Sequence, residues 1–178
     1  MLHEQIERAI NAQINMEFAA SYSYLAMAVH LDSAHLSGFS SWMEKQSDEE
    51  RAHGLRLLRY LLDRDGTVEL DAIERPQSEF GSVRDIFKMS LDQERNNTAS
   101  INTLYALARE MNDYATQAHL QWFIDEQVEE EKTISDILGR LEFAGNDKTA
   151  LLIMDEQMAN RGAASGEVGV SIPGGEGE

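Results

Sequence analysis

Proline, which a helix interior excludes, occurs only twice in this chain, at Pro76 and Pro173, and both lie outside its periodic segments. What remains is a series of long uninterrupted stretches in which apolar side chains recur every three or four residues, the spacing of one helical face. Over about residues 3–31, Ile6, Ile10, Ile14, Phe18 and Leu25 share a stripe. After a turn at Asp32-Ser33-Ala34-His35, a second stripe runs through Phe39, Trp42, Met43, Leu57 and Leu61. It stops at Asp65-Gly66, where glycine suits a helix C-terminus. Residues 66–82, with Gly66, Pro76 and Gly81, read as a long connection. Ser82, with Asp85 three positions on, can cap a third helix carrying Phe87, Ile101, Leu104, Tyr105 and Ala108. A break at Asn112-Asp113 starts a fourth, with Phe123, Ile134, Ile137, Leu138 and Leu141. Asn146-Asp147 can cap a shorter fifth helix over about 148–160, whose apolar face is Leu151, Met154 and Met158 and which Gly162 should end. The expected fold is therefore all-α: a four-helix bundle with one long crossover between its second and third helices, plus a short fifth helix. Residues 1–161 form that single domain, and residues 162–178, with six of the chain's twelve glycines, read as a flexible tail.

The 178 residues suffice for one domain with a sizeable core. No apolar run approaches the ~20 residues needed to cross a bilayer. The start, Met1-Leu2-His3-Glu4, lacks the basic and apolar regions of a secretory signal, so a cytoplasmic location with no membrane partner is the expectation. Cysteine is absent, which excludes disulfides, thiolate metal sites and cysteine nucleophiles. With 32 acidic against 15 basic residues, the formal charge of −17 opposes a nucleic-acid backbone and favours cations.

The informative feature is what interrupts the stripes. On the second helix, Phe39, Met43, Gln46, Glu50, His53, Leu57 and Leu61 keep to one face, so Glu50 and His53 fall where the pattern asks for apolar residues. Glu17 sits among inward positions beside Phe18, with Tyr24 two turns on. The third stripe runs Phe87, Leu91, Glu94, Thr98, Ile101 and the fourth Phe123, Gln127, Glu130, Ile134. Each long helix thus sends a carboxylate into the bundle interior. Buried unpaired carboxylates cost several kcal/mol each and also repel one another. Arg51 and Arg95 directly follow Glu50 and Glu94, so they point about 100° away around the helix. A metal ion is the simplest countercharge. Glu50-x-x-His53 sets a carboxylate and an imidazole on adjacent turns, and oxygen ligands with one nitrogen suit iron or manganese, with zinc able to compete. A lone Glu-x-x-His means little, whereas matched interruptions on four helices are hard to obtain by chance. Trp42 and Trp122 read as packing residues, and His3, His30, His35 and His119 as ordinary surface or satisfied histidines.

Over about residues 3–160 the sequence resembles the prokaryotic non-haem ferritins. The resemblance rests on Asn15-Met16-Glu17-Phe18, Asp48-Glu49-Glu50-Arg51-Ala52-His53, Leu91-Asp92-Gln93-Glu94-Arg95, and Gln121-Trp122-Phe123 leading into Glu126-Gln127-x-Glu129-Glu130. It implies a ferritin-like bundle in which Glu17, Glu50 and His53 bind a first iron, and Glu50, Glu94 and Glu130 a second, with Gln127 beside it. Tyr24 matches the tyrosine next to such a centre, an electron donor during oxygen reduction. Glu49, Glu126 and Glu129, with Glu130, match a nearby third iron position, although taken alone they could equally be a solvated acidic face. The fourth helix carries Gln127-x-x-Glu130 in place of a second Glu-x-x-His, so the second iron should be held more weakly. Arg51 stands where bacterioferritins resemble one another in having a methionine haem ligand, so no haem is expected. Gln117 and Leu120 replace the acidic channel residues of animal ferritins.

The function this resemblance implies is iron storage and detoxification. Fe²⁺ and oxygen or peroxide would be the substrates of a ferroxidase. The ferric oxy-hydroxide product would collect within a hollow homo-oligomeric shell of about 24 subunits. Two other readings of the residues remain open: a discrete di-iron or di-manganese enzyme on the same bundle, and a non-catalytic helical protein that buffers cations or binds partners. A mini-ferritin that protects DNA fits less well, because its ligands come from subunit interfaces.

Overall fold

The computed structural model describes residues 2–164, and the stretch expected to be a flexible tail lies outside the described residues from position 165 onward. Five helices follow in order: α1 Glu4–Ser33, α2 Ser37–Asp63, α3 Val83–Glu110, α4 Tyr114–Ala144 and α5 Lys148–Ala164. There is no strand among the described residues. Helix α1 packs along α2, α3 along α4, α1 also against α3, and α5 against the start of α2.

The ends of the helices show why the segments stop where they do. His3 accepts from Gln5 N–H at the start of α1, and Ser82 and Asp85 form the expected capping box of α3. Asp113 caps α4, and its carboxylate also takes two bonds from the Arg64 guanidinium at 3.1 and 3.2 Å, tying the end of α2 to the start of α4. Asp147 caps α5, accepting from Thr149 N–H at 2.8 Å. At three C-termini a non-glycine residue takes the left-handed conformation: His35, Asp65 and Asn112, with φ of 62, 57 and 54°. In each case the next amide reaches back five residues to close the end, as Leu36 does to Leu31 O at 3.0 Å and Gly66 to Leu61 O at 2.9 Å. Gly66 is thus needed for a different reason from the one its position suggested. Asp65 makes the turn, and a Cβ at residue 66 would sit 2.5 Å from Leu61 Cδ1.

The crossover is pinned to α1 by two asparagines acting as surrogate backbone. Asn11 donates to Thr67 O and accepts from Glu69 N–H, both at 2.8 Å, and Asn15 does the same with Glu69 O and Asp71 N–H, both at 2.9 Å. This long connection lets α3 run parallel to α2, the topology expected of a single-crossover bundle.

Two apolar clusters fill the interior. One gathers Tyr24, Met27, Leu31, Phe39, Phe87 and Ile134 with their neighbours; the other gathers Ile6, Ile10, Ile14, Leu57, Ile101 and Phe123. On every long helix the residues between the two clusters are the polar interruptions, so the acids occupy a layer across the middle of the bundle. Trp42 packs on Phe87 at 5.1 Å between ring centroids, as expected of a packing residue.

Helix α5 continues to Ala164 where a stop at Gly162 was expected. One interior glycine costs only about 1 kcal/mol relative to alanine, too little to end a helix by itself. The docking of α5 is close: Asp155 accepts from Phe39 N–H at 2.8 Å, supplying the first turn of α2 with the acceptor that Leu36, which has no side-chain bond to it, does not. Gly38 permits that approach, because a Cβ there would lie 1.8 Å from the Asp155 carbonyl oxygen. Gly38→Ala should therefore lower stability by about 1–3 kcal/mol, read as a reduced denaturant midpoint. An unchanged midpoint would mean that α5 does not seat on α2 in this way.

Candidate metal centre

The residues singled out from the stripes are buried together. Glu17 and Tyr24 are 0% exposed, Glu50 and Glu94 1%, Gln127 2%, His53 5% and Glu130 7%. Ligand atoms of Glu17, Glu50 and His53 lie within 4.8 Å of one another, as do those of His53, Glu126 and Glu130. His53 thus belongs to both groups, where the resemblance assigned it to one ion. Glu94 falls in neither group; it stands behind them, held by Tyr24 O–H on one oxygen and by Gln127 Nε2 at 3.2 Å on the other.

The outer acids behave less uniformly. Glu126 is half-buried and reaches the second group, while Glu49 is exposed yet linked to the interior. The link is Gln46, whose amide donates to Glu49 and also to Glu130 Oε2 at 3.3 Å. Glu129 is exposed and in neither group. A cavity of about 710 Å³ opens beside His53, and Glu49, Arg56, Tyr60, His119, Trp122 and Glu126 line it.

Electrostatics divides the layer. Among the described residues no lysine or arginine is buried within it: Arg51 is exposed, Arg95 leans to Glu131 at 3.9 Å, and Arg56 stands at its edge, over the Trp122 ring. Burial, with the charges of Glu94 and Glu17, raises Glu50 well above the usual carboxylate range. Burial also raises Glu17 and Glu94, against hydrogen bonds that pull each back, and raises Tyr24 well above its ordinary value. Glu130 is pushed up to about 8 by burial and then by Glu94. His53 moves the other way, to about 4, through burial and Arg56. It is therefore neutral near neutral pH, and its 3.6 Å approach to Glu50 is not an ion pair. Neither Glu50 oxygen meets a donor, and nor does His53 Nδ1. The neighbours of Glu50 are the carboxylates of Glu17 and Glu94, which can bond to it only by sharing a proton.

A neutral imidazole with an unpartnered nitrogen, beside carboxylates that carry protons only for want of a cation, is a donor set suited to a metal ion. What can be done here is to bind ions of charge two or more close together, away from bulk water, with Tyr24 next to them.

Several residues of this centre carried no signal as ligands. Gln13 and Asn97 donate to the two oxygens of Glu17, at 2.7 and 3.1 Å. Both are buried, one turn from Glu17 and Glu94 respectively, and that spacing is the only clue the chain offers. Trp122 packs on Phe123, as expected, but also sets its edge against His53 at 5.3 Å, with the Arg56 guanidinium 4.0 Å over its ring. His119 was expected to be an ordinary surface or satisfied histidine. It stacks on Tyr60 at 4.0 Å, is pushed down to about 4 by burial and Arg56, and leaves Nε2 without a protein partner.

The raised carboxylates determine how metal binding depends on pH. Glu130 has its folded value above its unfolded one, so its stabilising effect is complete below about pH 4.5 and fades as pH rises through about 8. An ion must displace that proton, and binding tightens as the proton becomes easier to remove. Redox-inert Zn²⁺ should therefore raise the melting temperature more at pH 8 than at pH 5.5. In weak buffer at pH 6, a pH indicator should record protons released on binding. A stabilisation that shrinks with rising pH would contradict this charge arrangement.

Comparison with known proteins accords with this geometry. Residues 7–144 match the ferritin family, described as a ferritin-like domain. A bacterial non-heme ferritin of Staphylococcus epidermidis is 40% identical over 161 residues, covering 90% of this chain and 97% of that protein. One from Staphylococcus aureus is 37% identical over the same coverage. Among solved structures, an open-pore ferritin from the hyperthermophilic archaeon Archaeoglobus fulgidus shares the fold with a TM-score of 0.88 and 40% identity, over 89% of this chain and 98% of that one. Four crossed helices, a mid-bundle carboxylate layer and a family match through nearly the whole of that bundle lead to one statement: this chain belongs to the ferritin family.

Proposed function

We propose that this ferritin oxidises Fe²⁺ to Fe³⁺ with O₂ at a di-iron centre inside each subunit, and stores the product as a ferric oxy-hydroxide mineral. The observation that carries this reading is the buried layer itself: acids from four helices around a neutral histidine, with no lysine or arginine among the buried described residues. Glu17, Glu50 and His53 would hold the first Fe²⁺, and Glu50, Glu94 and Glu130 the second. Glu50 is the natural bridge, since both its oxygens lack a donor.

Each Fe²⁺ gives up one electron, and the pair together reduce one O₂ by two electrons, so no free one-electron product need form. With two protons taken up, that step yields two Fe³⁺ and hydrogen peroxide. Tyr24, hydrogen-bonded to Glu94, stands where it could supply a further electron. Gln127 commits its amide nitrogen to Glu94, so only its carbonyl oxygen is left for an ion. A neutral amide in that place weakens the hold on the second iron, which suits a centre that releases Fe³⁺ to a growing mineral. Glu126, with Glu49 tied in through Gln46, would form a third position toward the cavity; Glu129 would have to rotate in to join them.

The mineral needs an enclosed volume, and the proposal includes a hollow shell of about 24 copies, closed by symmetry. No helix among the described residues is long and apolar enough to cross a membrane. The cytosol, which supplies Fe²⁺ in reduced form, is the compartment that fits.

Aerobic addition of Fe²⁺ to the metal-free protein, followed by ferric absorbance, particle mass and retained iron, tests the reading. Rapid oxidation and a large particle holding far more than two irons per chain are expected. A small particle with two tightly held irons would favour a discrete di-iron enzyme instead. Glu94→Ala and His53→Ala should slow the fast phase by roughly 10–100-fold with particle mass unchanged. Normal oxidation in both would remove these residues from the centre. Glu49→Ala and Glu126→Ala should preserve the fast phase and lower the number of ions bound per chain by one.

A further inference from the structure

Glu17, like Glu94, has a donor on each oxygen, and its two donors are also linked to each other. The Ser100 hydroxyl donates to Gln13 Oε1 at 2.6 Å, which turns the Gln13 NH₂ group toward the interior. That NH₂ donates to Glu17 Oε1 at 2.7 Å and to Asn97 Oδ1 at 2.5 Å. With its carbonyl oxygen thus engaged, Asn97 presents its own NH₂ to Glu17 Oε2 at 3.1 Å. Each amide takes the orientation its neighbours dictate: reversing Gln13 would set its carbonyl oxygen against Asn97 Oδ1 and the Glu17 carboxylate, and reversing Asn97 would set its NH₂ against that of Gln13. Every donor in the chain points toward Glu17.

We propose that Ser100, Gln13 and Asn97 form a one-way donor chain from α3 and α1 that positions Glu17, and that it sets the affinity of the metal position on the Glu17 side without governing the other. The inference rests on the reading of Glu17 as an iron ligand.

The physical reasons are specific. The two amides occupy one acceptor direction on each Glu17 oxygen and leave the others for an ion. The carboxylate cannot rotate about its last bond without breaking hydrogen bonds at both oxygens. Gln13 and Asn97 are 1% and 2% exposed, so water does not readily replace them. Being neutral and donor-only toward Glu17, they fix the ligand without competing for the ion. Glu50, across the same cluster, has no such donor on either oxygen and is free to adjust to one ion or two. The centre therefore pairs a fixed ligand with an adaptable one. A support of this kind is worth roughly 10–100-fold in metal affinity.

The test is Co²⁺ titration of the metal-free full chain, followed by its visible d–d bands, with Zn²⁺ calorimetry to resolve binding classes. Gln13→Leu and Asn97→Leu should weaken one class by roughly 10–100-fold, alter its d–d spectrum, and leave the other class unchanged. Ser100→Ala should weaken the same class by less, and Ser100→Thr, which keeps the hydroxyl, should restore it. Should either leucine variant fail to assemble, the Ser100 pair, at a half-buried position, decides the matter. Equal weakening of both classes, as a general loss of stability would produce, or no weakening at all, overturns the proposal. Glu17→Ala separates the two levels of inference. If it spares both classes, Glu17 is not a ligand and the proposal falls with that reading. If it abolishes a class that the chain variants spare, only the donor chain is wrong.

Discussion

Carboxylates from four helices share one water-poor layer, and the cost of keeping them there organises the rest of the molecule. An unpaired buried carboxylate costs several kcal/mol, and several together add mutual repulsion. A fully buried leucine or isoleucine contributes roughly 1.5–3 kcal/mol. A few such side chains are therefore needed to offset each acid, and the bundle places an apolar cluster on either side of the layer. The metal-free layer survives by holding protons, which burial favours at Glu50 and Glu130 most plainly. The same protons are what an incoming cation displaces. Stability of the empty protein and affinity for the ion are thus opposite sides of one electrostatic arrangement.

Helix ends and connections serve to keep that layer in register. Four acids meet only if four helices are held at fixed heights, and each helix is anchored at its termini rather than at the site. Capping at His3, Ser82, Asp113 and Asp147 sets where the helices start. The Arg64–Asp113 pair locks the end of α2 to the start of α4. Asn11 and Asn15 fix the crossover along α1, within two turns of Glu17. Asp155 brings α5 to the head of α2, the helix that carries Glu50 and His53. Rigid ends allow the layer itself to mix acids held by donors on both oxygens, Glu17 and Glu94, with one that has no such donor, Glu50. Such a mixture suits an ion that is a substrate and must leave.

His53 shows how far neighbours decide the chemistry of a residue. Its imidazole is boxed by Trp122 and Phe123 and faced by the Arg56 charge, so it stays neutral and offers a lone pair. Burial lowers His119 across the cavity, and the same Arg56 adds to that; Glu126 is raised by burial and Glu129, with Arg56 opposing.

By itself the sequence determined the helices, their order and the inward acids, because a period of three to four residues is a local property and Glu50, His53, Glu94 and Glu130 break it visibly. The capping box at Ser82 and the Asp113 break were equally local. What could not be read locally are relations between helices distant in the chain. That Gln13 meets Asn97, that Gln46 joins Glu49 to Glu130, and that His53 stands in two ligand groups depend on rotations about helix axes which a stripe specifies only coarsely. Asp65 rather than Gly66 took the left-handed turn, and Gly66 instead lies close against Leu61, a packing fact invisible to residue preference. Gly162 failed to end α5 because one glycine is a small penalty. The tertiary structure decided which acids are held, which is free and which merely lie nearby, since those depend on distances of a few tenths of an ångström between side chains that only the packed bundle brings together.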